Sequence, residues 1–178
     1  MPLLLLILDL CRLRRGPQDL PYSPGLLGGT VAATVLLRLV LAAFTGNPIG
    51  NALIDSVISL GFVFLSMHIM LTLRGLRTRF VQATTALLLC SLFFDILLTP
   101  LVLMAGPPPL PGTAPQDVPP QYLLVGLIAL PLMIWNLVTY AHVLRHSLDV
   151  PFVAGLAIAL AWLGLLLVLS RLAGAPLA

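Results

Sequence analysis

Three charged residues, Arg38, Asp55 and Asp95, stand inside long apolar stretches. A lone charge at the centre of a bilayer costs about 2.5–3.5 kcal/mol on insertion scales, so each needs a partner or access to water. With a rise of 1.5 Å per helical residue, Arg38 lies roughly 10 Å, Asp55 roughly 6 Å and Asp95 roughly 13 Å from one and the same membrane face. A short turn, Gly46-Asn47-Pro48, joins the stretches that carry Arg38 and Asp55. Arg38 is therefore expected to reach Asp55, with Asp95 as a third member of the cluster. Two chemistries fit such a cluster: a proton or ion relay with a polar substrate site, or an Arg–Asp pair that simply holds helices together. A relay needs a titratable group poised near working pH and a water path, and the sequence shows neither.

Histidine offers a second possibility. His142 and His146 are four residues apart, which puts two imidazoles on one helical face, and His68 is expected at a similar depth. Metal sites use this spacing. No HExxH pattern, cysteine ligand or nearby glutamate joins them, and His146 adjoins Arg145. Snorkelling at the interface is the competing expectation. No metal and no cofactor are expected; His68, His142 and His146 are the residues that would hold a metal if one were bound.

Enzyme signatures are missing: there is no GxSxG elbow, Walker loop, dinucleotide fingerprint or CxxCH. The serines inside the apolar stretches, Ser56, Ser59, Ser66, Ser91 and Ser170, are expected to bond back to the helix backbone. The chain reads as non-enzymatic.

The elements that position these residues follow from composition. Apolar residues make up 60% of the chain and charged residues 8%, with mean hydropathy +1.10. Soluble domains carry about a quarter charged residues, so this chain cannot cover a water-facing surface. A spanning helix needs about 20 apolar residues, and five such stretches leave no room for a separate catalytic domain. The fold class is an all-α polytopic bundle of five transmembrane helices preceded by a short interfacial helix. The spans are expected at about 26–45, 51–73, 80–104, 122–144 and 151–172.

Residues 1–25 form a separate N-terminal element. PLLLLILDLCRLRR is too short to span, and its late basic cluster fits an interfacial helix. Arg12, Arg14 and Arg15 follow the Leu3–Leu8 run instead of preceding it, so an uncleaved segment is expected rather than a signal peptide. Gly16 to Gly25 is a Pro/Gly elbow with Tyr22 as an interfacial anchor. Residues 105–121 are a proline-rich connection without a basic residue. Pro131 should kink the fourth span. Cys11 and Cys90 are expected at different depths, both reduced. Small-residue faces at Gly28-Gly29 and Ala154-Gly155, with Gly61, Gly126 and Gly164, favour close helix approach and leave a homo-oligomer open.

Arginine then orients the bundle. All nine basic residues are Arg and all six acidic residues are Asp, a bias read as that of a GC-rich bacterial genome. Arg12, Arg14, Arg15, Arg74, Arg77, Arg79 and Arg145 fall on one side and Arg171 on the other. The positive-inside rule makes the N-terminus and the basic turns cytoplasmic and the C-terminus external. The net charge of +3 is topogenic, so membrane lipid and not nucleic acid is the expected partner. A cytoplasmic surface for lipid or a protein partner is expected from Arg12, Arg14, Arg15, Asp19, Tyr22, Arg74, Arg77, Arg79 and Arg145.

Two motifs carry a family resemblance. Asp19-Leu20-Pro21-Tyr22-Ser23-Pro24, just before the first span, resembles the Asp-Leu-Tyr-Gly-Pro element of the Yip1 family of five-span membrane proteins. Ile134-Trp135-Asn136-Leu137-Val138, then Leu144-Arg145-His146-Ser147-Leu148 and a final span, is similar to bacterial members. The resemblance covers roughly residues 17–172. It implies an integral membrane protein of unsettled role; a non-enzymatic structural or interaction component of the inner membrane is the leading reading. The chain departs from the family in lacking a clean Tyr-Gly-Pro and the longer N-terminal region that eukaryotic relatives use with GTPases, so no GTPase role is implied. The alternative is a small transporter or channel subunit using Arg38, Asp55 and Asp95.

Overall fold

A computed structural model describes residues 3–106 and 119–172; most of the proline-rich connection and the side chains of residues 170–172, Arg171 and Ser170 among them, lie outside the described residues. The described residues are helical, without strands: α1 (Leu3–Cys11), α2 (Pro24–Thr45), α3 (Ile49–Leu73), α4 (Phe80–Ala105), α5 (Pro120–Leu148) and α6 (Phe152–Leu172). Short 3-10 turns at Pro17–Asp19 and Arg77–Arg79 precede α2 and α4. Among the described residues five helices are long and apolar enough to cross a membrane, so the protein is a multi-pass membrane protein.

Local chemistry sets the helix ends. Ser23 caps α2 by accepting a hydrogen bond from the Leu26 amide at 3.1 Å, with Pro24 in the first turn. At the other end Gly46 adopts φ 73°, a left-handed conformation that stops the helix without a Cβ clash. Asp149 ends α5 in the same region of backbone space at φ 51°, which its short polar side chain tolerates. Pro131 lies inside α5 and Pro100 inside α4, each removing one backbone donor from its helix.

α4 is the central helix and packs against α1, α2, α3 and α5, while α6 packs on α5 and α3. Burial is concentrated at the arginine-rich end. Every residue of α4 from Ala83 to Cys90 is buried, together with Met67 and Leu71 of α3 and Val143, Leu144 and Leu148 of α5. The opposite half is splayed: Leu123 and Leu127 of α5 are 72% and 71% exposed. In a bilayer those faces meet acyl chains.

The small residues are not equivalent. A Cβ on Gly155 would meet the Ala141 carbonyl oxygen at 2.5 Å, so α5 and α6 touch backbone to backbone there. Gly28, Gly29, Gly61, Gly126 and Gly164 have nothing within 4 Å of that position.

One expectation is overturned. Cys11 and Cys90 do not sit at different depths; both are fully buried, and their thiols are in contact as free cysteines. The physical reason is that α1 does not rest its apolar side on lipid alone. Leu6, Leu10 and Cys11 are buried in the protein core, and α1 packs against α4 and α5.

Candidate functional site

Two groups of polar residues are candidates, one in each half of the bundle. In the splayed half, Arg38 of α2 donates from Nη1 to Asp55 Oδ2 at 3.1 Å and to Ser59 Oγ at 2.5 Å. Both acceptors lie on α3, four residues apart, so one helical face presents them together. The Ser59 hydroxyl also donates to the Asp55 carbonyl at 2.8 Å, which fixes its lone pairs toward the guanidinium. Asp95 of α4 stands beside Ser91 and within electrostatic reach of Arg38, and Tyr140 of α5 lies against the same group. The Asp95 Oδ2 is buried and has no hydrogen-bond partner among the described residues.

The cluster thus joins α2, α3, α4 and α5. Ser91 and Tyr140 were not anticipated as members. The repeated spacing of Asp55 with Ser59 and Ser91 with Asp95, four residues each, is the sequence signal that finds the serines. Ser56 and Ser66 bond back to the Ala52 and Phe62 carbonyls at 2.7 and 2.5 Å, the ordinary fate of a serine in an apolar helix.

At the arginine-rich end, the basic residues divide into two sets. Arg74 donates from Nε to the Leu148 carbonyl at 3.1 Å and from Nη2 to the Asp149 carbonyl at 3.0 Å. Arg79 pairs with Asp149 Oδ2 at 2.9 Å and reaches the His146 carbonyl at 3.4 Å. These two arginines satisfy the last carbonyls of α5 and complement the negative end of its dipole. Arg15 pairs with Asp9 at 3.3 Å. Asp19 is engaged locally, accepting the Gly16 amide at 3.0 Å. Arg12, Arg14 and Arg145 are exposed and form no ion pair among the described residues. Arg77 is exposed and donates from Nε to Thr72 Oγ1 at 3.0 Å, and Tyr22 is also exposed.

The N-terminal segment docks onto this end through its own carbonyls. Trp135 Nε1 donates to the Cys11 carbonyl at 2.7 Å, and the Thr139 hydroxyl shares its hydrogen between the Trp135 carbonyl at 2.9 Å and the Cys11 carbonyl at 3.3 Å. His142 Nε2 donates to the Arg15 carbonyl at 2.9 Å, and Gln82 Nε2 to the Leu20 carbonyl at 2.7 Å. A chain that leaves helical geometry near lipid must have its carbonyls satisfied by protein, and these four side chains do so. Trp135 is further packed edge-on against Phe94 at 5.1 Å.

This docking decides the histidines. His142 is buried, not snorkelling, and its Nε2 faces a carbonyl, an arrangement that uses an N–H and not a metal-binding lone pair. His146 lies against His142 with ring centroids 4.6 Å apart, whereas His68 packs on Phe80 at 5.8 Å. Among the described residues no three His, Cys, Asp or Glu side chains are grouped to hold a metal ion.

No protein-family model matches the chain, and no curated protein and no solved structure matches it either.

Proposed function

We propose that this multi-pass membrane protein is a non-enzymatic structural or interaction component whose working surface is its arginine-rich end. One observation carries the reading: Arg12, Arg14 and Arg145 are exposed at that end without a carboxylate partner among the described residues, on the half of the bundle that is packed most tightly. Unneutralised cations on a firm base suit an anionic membrane surface or an acidic protein face. The resemblance to the Yip1 family supports an integral membrane protein and leaves its role open. With it goes a placement in the bacterial inner membrane, the N-terminus and the arginine-rich end cytoplasmic and the C-terminus external.

The test is a triple variant, Arg12→Gln, Arg14→Gln and Arg145→Gln, extracted from native membranes in mild detergent beside the wild type. Loss of co-purifying protein or anionic lipid from the variant, at unchanged accumulation, is expected. Identical complexes from both would contradict the reading. Reporter fusions at each terminus test the orientation separately.

A second reading is supported by the unpartnered Asp95 Oδ2 beside Arg38, Ser91 and Tyr140. It makes the intramembrane cluster part of a transport path. Asp95→Asn would then abolish a solute or ion flux in vesicles while the protein accumulates normally. An effect confined to stability or assembly returns the cluster to a structural role.

A further inference from the structure

We propose that the cleft between the last turn of α3 and the first turn of α4 binds the phosphate of an anionic phospholipid headgroup. The cleft has a volume of about 290 Å³. Ligand sites usually run from about 300 to 1,000 Å³, so it matches a headgroup and not a whole lipid. This deepens the reading above by naming one ligand for part of the arginine-rich end, and it rests on that end lying among headgroups.

The lining supplies the chemistry. Tyr22, His68, Arg77 and Thr78 form a polar rim over a floor that includes Leu71 and Phe80, and no carboxylate lines it. The rim offers a phenol, an imidazole, a guanidinium and a hydroxyl, each able to donate to a phosphate oxygen. Arg77 is held in place by its Nε bond to Thr72 Oγ1, and its terminal nitrogens have no hydrogen-bond partner among the described residues. Arg74 and Arg79, its neighbours in the same turn, are instead engaged by the end of α5. The His68 ring stands edge-on to Phe80 at 5.8 Å, which fixes it at the wall.

Depth and surroundings favour a lipid as the source of the phosphate. α3 has 25 residues and α4 has 26, so each is roughly 37–39 Å long at 1.5 Å per residue. The hydrocarbon core is about 30 Å thick, which leaves the turns around the cleft at headgroup level. Leu65, Ile69 and Leu73, one turn apart on α3, are exposed, Leu73 at 80%. They give α3, the helix that carries His68, an exposed apolar face at this end of the bundle that meets acyl chains.

The test uses the full chain in mild detergent, with native mass spectrometry during titration by phosphatidylglycerol, phosphatidylcholine or inorganic phosphate. One phosphatidylglycerol is expected to bind in preference to phosphatidylcholine. Arg77→Gln should weaken it about tenfold or more, the worth of a charge-assisted hydrogen bond. Thr78→Asp, which places a carboxylate at an exposed position of the rim, should do the same and guards against misfolding of the first variant. Gln18→Glu, which adds a carboxylate at an exposed position of the same end but outside the cleft, should leave the preference intact. Unchanged binding in Arg77→Gln and Thr78→Asp overturns the proposal. Equal loss in Thr78→Asp and Gln18→Glu overturns it in favour of diffuse surface charge. Displacement of the lipid by inorganic phosphate at matching concentration overturns the lipid and leaves a soluble-phosphate site. A fusion that places this end on the other side of the membrane refutes the proposed orientation without touching these results.

Discussion

Two Arg–Asp pairs of almost equal length occupy opposite halves of the bundle. Arg38 meets Asp55 at 3.1 Å inside the apolar spans, and Arg79 meets Asp149 at 2.9 Å at the arginine-rich end. Their solvents differ. Water screens the second pair, and exposed pairs contribute about 0–1 kcal/mol. The first lies along lipid, where an unpaired charge costs about 2.5–3.5 kcal/mol at the bilayer centre and less toward the interface. The halves around them differ in the opposite sense. The arginine-rich half is closely packed and carries the docked N-terminal segment; the other half is splayed and relies on the polar cluster to tie α2 to α3 and α4. Packing holds one half, and electrostatics in a low dielectric holds the other.

The comparison breaks most severely where packing is tightest. Gly155→Leu forces a side chain into the Ala141 carbonyl and should separate α5 from α6, costing about 3 kcal/mol or more. A lowered melting temperature and loss of a monodisperse detergent peak would register it, whereas Gly164→Ala, with open space, should change neither.

Next in size is Arg38→Met, which removes the guanidinium shared by Asp55 and Ser59 and should destabilise by up to about 2.5–3.5 kcal/mol in a denaturing-detergent titration. Asp149→Asn, which removes the charge of the other pair and keeps a side chain that tolerates the left-handed backbone, should cost about 1 kcal/mol or less. A cost for Asp149→Asn equal to that of Arg38→Met would erase the contrast.

Smaller still is Trp135→Phe, which keeps the ring against Phe94 and removes the hydrogen bond to Cys11. About 1 kcal/mol is expected. The sharper readout is alkylation of Cys11 in native membranes, which should rise as the N-terminal segment loosens. Arg74→Ala leaves two carbonyls at the end of α5 without their donor, and a loss of about 1 kcal/mol in the same titration is its expected effect.

Particular residues explain how much of this was legible in the sequence. The five spans are visible because lipid demands long apolar runs, and Gly46-Asn47-Pro48 marks its turn by backbone chemistry that depends only on neighbours. The Arg38–Asp55 contact is readable because a short turn fixes the depth of both residues. The docking of Cys11, Arg15 and Leu20 is not, since it joins residues more than sixty positions apart through carbonyls that every residue possesses. Trp135 was visible only as a family-like motif, without its partner. Gly155 and Gly28 look alike in sequence, and helix rotation alone decides which of them faces a neighbour. Arg74 and Arg79 resemble Arg77 for the same reason: the position of the α5 terminus, which no local pattern reports, separates helix caps from a cleft-lining side chain.

The contrast between the two halves rests on what surrounds two similar ion pairs, and double-mutant cycles measure this directly. With Arg38→Met, Asp55→Leu and their combination, set beside Arg79→Ala, Asp149→Ala and theirs, stability in lipid bicelles gives both coupling energies. The account predicts coupling above about 1.5 kcal/mol for Arg38 with Asp55 and below about 1 kcal/mol for Arg79 with Asp149. Equal couplings, or the larger value at the arginine-rich end, would contradict it.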